Sequence, residues 1–350
     1  MNATTHDMHM MNSRGLYSTP KKSSDYPTST FPSKLSFMVW TTLSVIFLLV
    51  YSAAAHSIRP LVLWHGLGDS YASPGMLEFV SMIKNVHPGI FVHSVYIEEE
   101  LDKDRQAGFY GNVNEQLDSV ANQLATIPEL EHGFDAIGFS QGGQFLRAYV
   151  ERFNNPPIHN LLTFGSQHMG ISDIPICRPF DLICQAARRA TKQAVYSSWA
   201  QANLVQAQYF RDPANLETYI ATGSFLPSIN NEDPLRHNDT YAKRLASLNG
   251  LVLIMFTQDK TVVPKESAWF GSEVVDDLSF TSAQRILRPA TGRSIVPMHL
   301  QPLYVEDWIG LRTLDEQGKV IFETCEGEHM QISDCWEDFV REWTGEIIIT

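Results

Sequence analysis

The chain has 350 residues, 44% of them hydrophobic, and a formal net charge of −13. About 290 of those residues form an apolar-rich body, enough for one large α/β domain with its own core. The acidic balance argues against nucleic acid or anionic lipid as a partner held by nonspecific attraction.

In chain order, residues 1–34 are rich in Ser, Thr, Asn, Pro and Met, with little to bury, and read as a disordered tail. Residues 35–55 carry the uncharged runs Leu35–Trp40 and Leu43–Val50, with Lys21, Lys22 and Lys34 before them and Ala53-Ala54-Ala55 after. That is a signal peptide or a signal anchor. The apolar stretch is near the short limit for crossing a bilayer, so cleavage after Ala55 competes with retention. Either outcome delivers residues 56–350 to the lumenal or extracellular side. Membrane contact is expected only through this segment, if it is retained.

The body opens with a strand at Pro60–Trp64, ending in the Gly-rich turn His65-Gly66-Leu67-Gly68-Asp69-Ser70. A second strand is expected at Ile90–Tyr96. A helix follows from Val113 to Ile127, with apolar Val113, Leu117, Val120 and Leu124 on one face and Pro128 as its stop. Phe134–Ile137 reads as a strand and Gln144–Val150 as a helix. Further strands are expected at Leu161–Gly165, Leu251–Phe256 and Val320–Thr324. Short continuous apolar strands separated by helices predict a mostly parallel sheet covered on both faces, with its site beyond the carboxyl ends of the strands. Between about 171 and 250 the alternation breaks, and Cys184–Tyr209 is helical in character. This stretch is too long for an ordinary connection and reads as an inserted helical cap.

Gly138-Phe139-Ser140-Gln141-Gly142 stands between a strand and a helix. That context makes it a nucleophile elbow, in which the serine hydroxyl projects above the sheet at a helix start. A serine needs a base, and the base an orienting carboxylate, in the chain order Ser, acid, His. Asp259 follows the Leu251–Phe256 strand, and His329 lies in Glu326-Gly327-Glu328-His329-Met330 after the last strand. These three form the candidate triad. The oxyanion hole is expected from the backbone N–H groups of Gln141 and Leu67. His65 belongs to the first turn, His168 reads as a packing histidine, Asp69 and Asp135 as turn and surface residues, and Glu98-Glu99-Glu100 as a solvated face. No metal or other cofactor is expected.

The four cysteines permit three disulfide pairings. Local pairing, Cys177–Cys184 and Cys325–Cys335, closes short loops; free thiols at 325 and 335 and a zinc site are the alternatives. Asn238-Asp239-Thr240 is a glycosylation sequon in a polar stretch.

Several segments resemble the palmitoyl-protein thioesterase family of α/β-hydrolases. They are Leu63–Ser70, Phe109–Gln116, Gly138–Ala148, Gly165–Gly170, Trp269-Phe270-Gly271 and Glu326–Gln331. The resemblance runs in order from about Pro60 to Trp343. It implies a lysosomal, vacuolar or secreted enzyme that removes long-chain acyl groups from S-palmitoylated proteins or peptides, with the inserted region forming much of a lipid groove. Matched by position, Ser140 is the family nucleophile, Asp259 the acid, His329 the base, Leu67 and Gln141 the oxyanion donors, and Cys177 with Cys184 a family disulfide. Leu67 replaces a familiar methionine, and Cys325 and Cys335 have no obvious family counterpart. The competing functions are a lipase or carboxylesterase acting on oxyesters, and a catalytically inactive lipid-binding protein on the same scaffold.

Overall fold

Successive side chains of a strand point to opposite faces of its sheet, and a strand apolar at every position must be covered on both. The strands β2 (Leu61–Trp64), β4 (Phe134–Phe139), β5 (Ile158–Phe164) and β6 (Gly250–Phe256) are mostly apolar and buried almost throughout, with Asp135 in β4 and His159, Asn160 and Thr163 in β5 as the polar exceptions. A computed structural model describes residues 56–173, 194–274, 294–332 and 335–349. The chain divides into two units, Met1–Ala54 and Ala55–Thr350, and every described residue belongs to the second. The tail and signal segment, and the pair Cys177 and Cys184, lie outside the described residues. No helix among the described residues is long and apolar enough to cross a membrane.

With β3 (Val92–Ser94) and β9 (Val320–Cys325), these strands form a six-stranded parallel sheet in the order β3-β2-β4-β5-β6-β9. Val62, Trp64, Ala136, Leu161, Leu251 and Leu253 pack into one core with helices α1 (Val113–Ala125) and α2 (Gln141–Arg152). Their neighbours Leu61, Leu63, Ile137, Leu162, Val252 and Ile254 pack into another, against the helices Pro74–Val86 and Trp336–Trp343. The predicted parallel sheet with helices on both faces is the fold observed.

Some elements differ from expectation. The second strand shrinks to Val92–Ser94 because it is the sheet edge, paired only with Leu61–Leu63. The described part of the expected Cys184–Tyr209 helix is two short pieces, Ser198–Asn203 and Val205–Gln208. Leu204 between them is extended, where it bridges Tyr110. β1 (His56–Ile58) and β10 (Ile347–Ile349) also pair antiparallel, joining the two ends of the described body, and β7 (Ser272–Val274) pairs antiparallel with β8 (Ser294–Val296).

Asp135 is not a surface residue. It is fully buried in β4, 3.7 Å from the guanidinium of Arg59, and accepts the Asn160 N–H at 3.1 Å. Its neighbours in sequence gave no sign of this, because Arg59 and Asn160 reach it only through strand pairing. Burial pushes its carboxyl up to about 7 against the pull of Arg59. Such a carboxyl holds its proton more tightly folded than unfolded, so its stabilisation is complete at low pH and is lost as pH rises toward 7. Wild type should therefore lose stability relative to Asp135→Asn as pH is raised from 4 to 7, with a constant gap above that. Paired thermal melts across this range check it; a gap independent of pH would refute the assignment.

Candidate active site

β4 leads directly into Ser140, whose backbone has φ 53° and ψ −121°, and α2 begins at the next residue. A non-glycine residue held there is strained, and it persists only where its surroundings fix it. Here the Ser140 N–H donates to Phe164 O at 2.8 Å. A Cβ on Gly142 would overlap the Trp64 carbonyl oxygen, so only glycine lets α2 sit this close to β2.

β6 delivers Asp259 three residues beyond Phe256, with its side chain only 2% exposed. Its Oδ1 accepts the N–H groups of Thr261 (2.8 Å) and Val262 (3.0 Å), leaving Oδ2 for the histidine. β9 delivers the loop that carries His329. Nδ1 of His329 donates to Asp259 Oδ2 at 2.6 Å, and Ser140 Oγ donates to His329 Nε2 at 3.0 Å. A carboxylate can only accept, so Nδ1 carries the proton and Nε2 is free to take one. Residues 119 and 70 positions apart in sequence thus form one hydrogen-bonded chain, able to draw a proton from the serine hydroxyl.

A disulfide joins Cys325, the last residue of β9, to Cys335, which caps the helix Trp336–Trp343; the Cα atoms are 5.6 Å apart. His329 lies inside the ring it closes. Lys260 and Glu328, 3.1 Å apart, link the outer edges of the acid and histidine loops.

The first turn, His65–Ser70, lies beside the serine. A Cβ on Gly66 would be 3.2 Å from that of Ser140. Leu67 follows on this turn, and Gln141 is the first residue of α2, where a backbone N–H has no partner within the helix. Both residues are therefore placed next to the hydroxyl. Behind the turn, buried His65 points Nε2 at Asp104 Oδ2, 3.1 Å away. Burial pushes the Asp104 carboxyl up, but the neighbouring His65 ring and hydrogen bonds from the Tyr71 and Ile97 N–H groups outweigh it and hold it below the usual range. Asp104 was hidden in the acidic run from Glu98, and the local pattern gives no sign of its burial, since Leu101 one turn earlier is itself exposed. His168 is buried, bonded to Thr163 Oγ1 at 3.1 Å and stacked on Phe270. Glu98, Glu99 and Glu100 are exposed.

A cavity of about 930 Å³ opens at Ser140 and His329. Met76 and Phe79 form one wall. Ile171, Val195, Trp199, Leu204, Ala207, Tyr209 and Phe210, from the long connection between β5 and β6, form another. Asn238 caps the helix Asp239–Leu245, accepting from Thr240 N at 3.0 Å and Thr240 Oγ1 at 2.7 Å.

Residues 60–329 match the family described as palmitoyl protein thioesterase. Palmitoyl-protein thioesterase 1 of Caenorhabditis elegans is 40% identical over 274 residues, covering 78% of this chain and 87% of that protein. Palmitoyl-protein thioesterase 3 of Dictyostelium discoideum is 32% identical over 307 residues, 86% of this chain and 97% of that one. Lysosomal thioesterase PPT2 of Homo sapiens is 26% identical over 289 residues, 81% and 87%. With the family's pattern spanning both the elbow and the histidine loop, and relatives aligned over most of their own length, this chain belongs to the palmitoyl protein thioesterase family.

Proposed function

We propose that this protein hydrolyses long-chain fatty acyl thioesters, with palmitoyl groups on cysteines of proteins or peptides as the substrate class. Ser140 is the nucleophile, His329 the general base and Asp259 the residue that orients it. The observation that carries this reading is the Ser140–His329–Asp259 hydrogen-bonded chain at the mouth of a largely apolar cavity. As Ser140 Oγ attacks the thioester carbonyl, its proton passes to His329 Nε2, and the Asp259 carboxylate stabilises the imidazolium. The N–H groups of Leu67 and Gln141 receive the developing oxyanion; a donor of this kind contributes about 3 kcal/mol to the transition state. The C–S bond then breaks and His329 passes its proton to the departing sulfur, which needs little acid help because a thiol's pKa is about 8.5. Neutral His329 next takes a proton from water as it attacks the acyl-serine, and returns that proton to Ser140 Oγ as the ester bond breaks and the fatty acid leaves.

The relatives named as lysosomal thioesterases and the Cys325–Cys335 disulfide support a lumenal, oxidising destination reached through residues 35–55. Glycosylation at Asn238 accords with that route.

An acyl-length series tests the substrate class. A buried methylene is worth about 0.8 kcal/mol, so kcat/KM should rise by up to about fifteenfold per two carbons from octanoyl toward palmitoyl, then level off as the cavity fills. A preference for acetyl or butyryl thioesters would contradict the proposal. Matched palmitoyl oxyesters in the same assay decide between a thioesterase and a lipase.

A further inference from the structure

Gln141 holds its side chain in a way that the oxyanion role of its backbone does not require. The Tyr209 hydroxyl donates to Gln141 Oε1 at 3.1 Å, and Gln141 Nε2 donates to Gly108 O at 3.2 Å. All three residues are buried. Gly108 backs onto the first turn: a Cβ there would be 3.6 Å from the N of Gly68 and 3.2 Å from Gln141 Nε2. The segment between β5 and β6 makes a second contact with the same carbonyl, Gln206 Nε2 donating to it at 2.9 Å. One amide side chain therefore spans the helix start, the backing of the first turn and the cavity wall.

A carbonyl oxygen can only accept, so the Gln141 amide must turn its NH₂ toward Gly108. The Tyr209 hydroxyl satisfies the other end and makes that orientation the stable one. Burial pushes the Tyr209 phenol well above the usual tyrosine range, so it remains a neutral donor. We propose that Tyr209 is a positioning residue for the oxyanion hole, setting through Gln141 and Gly108 the spacing between the N–H groups of Leu67 and Gln141. The inserted segment would then shape the transition-state site as well as the acyl site. This rests on the serine-hydrolase reading given above.

Tyr209→Phe removes only the hydroxyl. In the full chain, with a palmitoyl-cysteine peptide, kcat should fall about tenfold, the range seen when a supporting hydrogen bond is lost, while KM stays within about twofold. The inhibition constant of a palmityl trifluoromethyl ketone, whose serine adduct places an oxyanion in the hole, should weaken by the same factor. Gln141→Met should reproduce the loss, and the double variant should be no worse than the poorer single, because both act through one side chain. Wild-type kcat in Tyr209→Phe, or losses that multiply in the double variant, would overturn the proposal. If Tyr209→Phe does not fold, Gln141→Met alone decides: an unchanged kcat overturns it, and a loss confined to kcat and ketone affinity supports it. Ser140→Ala separates the two levels. Activity surviving in that variant defeats the underlying reading, whereas an inactive Ser140→Ala beside a fully active Tyr209→Phe defeats only the role of Tyr209.

Discussion

Ser140→Ala should lower kcat by roughly 10⁵- to 10⁶-fold, with KM for a palmitoyl thioester almost unchanged. Nothing else at the site can take over the attack at comparable rate. His329 would be left to activate water without a covalent intermediate, and the remaining turnover would come from binding and the oxyanion donors alone. The fold should survive. The serine hydroxyl bonds to His329, and alanine occupies the same backbone conformation with no more steric conflict. Burst kinetics, fluorophosphonate labelling and a thermal melt, run together, check this. Unlabelled protein with a wild-type melt and no turnover is the expected result; more than about 1% of wild-type kcat would remove Ser140 from the mechanism.

Asp259→Asn should cost about 10⁴-fold in kcat while leaving the protein folded. The reason lies in how this carboxylate is used. Oδ1 faces two N–H donors, Thr261 and Val262, so the asparagine must place its amide oxygen there. Its NH₂ then faces His329 Nδ1. Two donors cannot meet, so the imidazole moves its proton to Nε2, the nitrogen that must accept from Ser140. The side chains stay in place and the tautomer is wrong. NMR of the ring nitrogens, together with kcat, tests both halves of the argument; a loss below tenfold would mean that another group orients His329.

How much of this was readable without coordinates follows a physical line. The parallel sheet announced itself because its central strands carry runs of consecutive apolar residues, a pattern a half-exposed strand cannot tolerate. Ser140, Asp259 and His329 could be grouped from the sequence because each follows a strand end, and parallel strands bring their ends to one edge. Asp135 and Asp104 were misread or passed over because local pattern codes for exposure only until a distant partner supplies compensation. Arg59 and Asn160 supply it for one; His65, Tyr71 and Ile97 for the other. Tyr209 stood out in the sequence only as the end of a helical stretch. Its contact with Gln141 spans 68 residues, and periodicity carries no information at that range.

The Cys325–Cys335 ring has a consequence for durability. Closing so short a circuit removes roughly 3 kcal/mol of chain freedom from the unfolded state. More to the point, a single peptide bond severed anywhere between the two sulfurs leaves both fragments tethered to the same scaffold. The imidazole would stay within reach of its carboxylate after an injury that would cast an open loop adrift, so nicked molecules need not be spent ones.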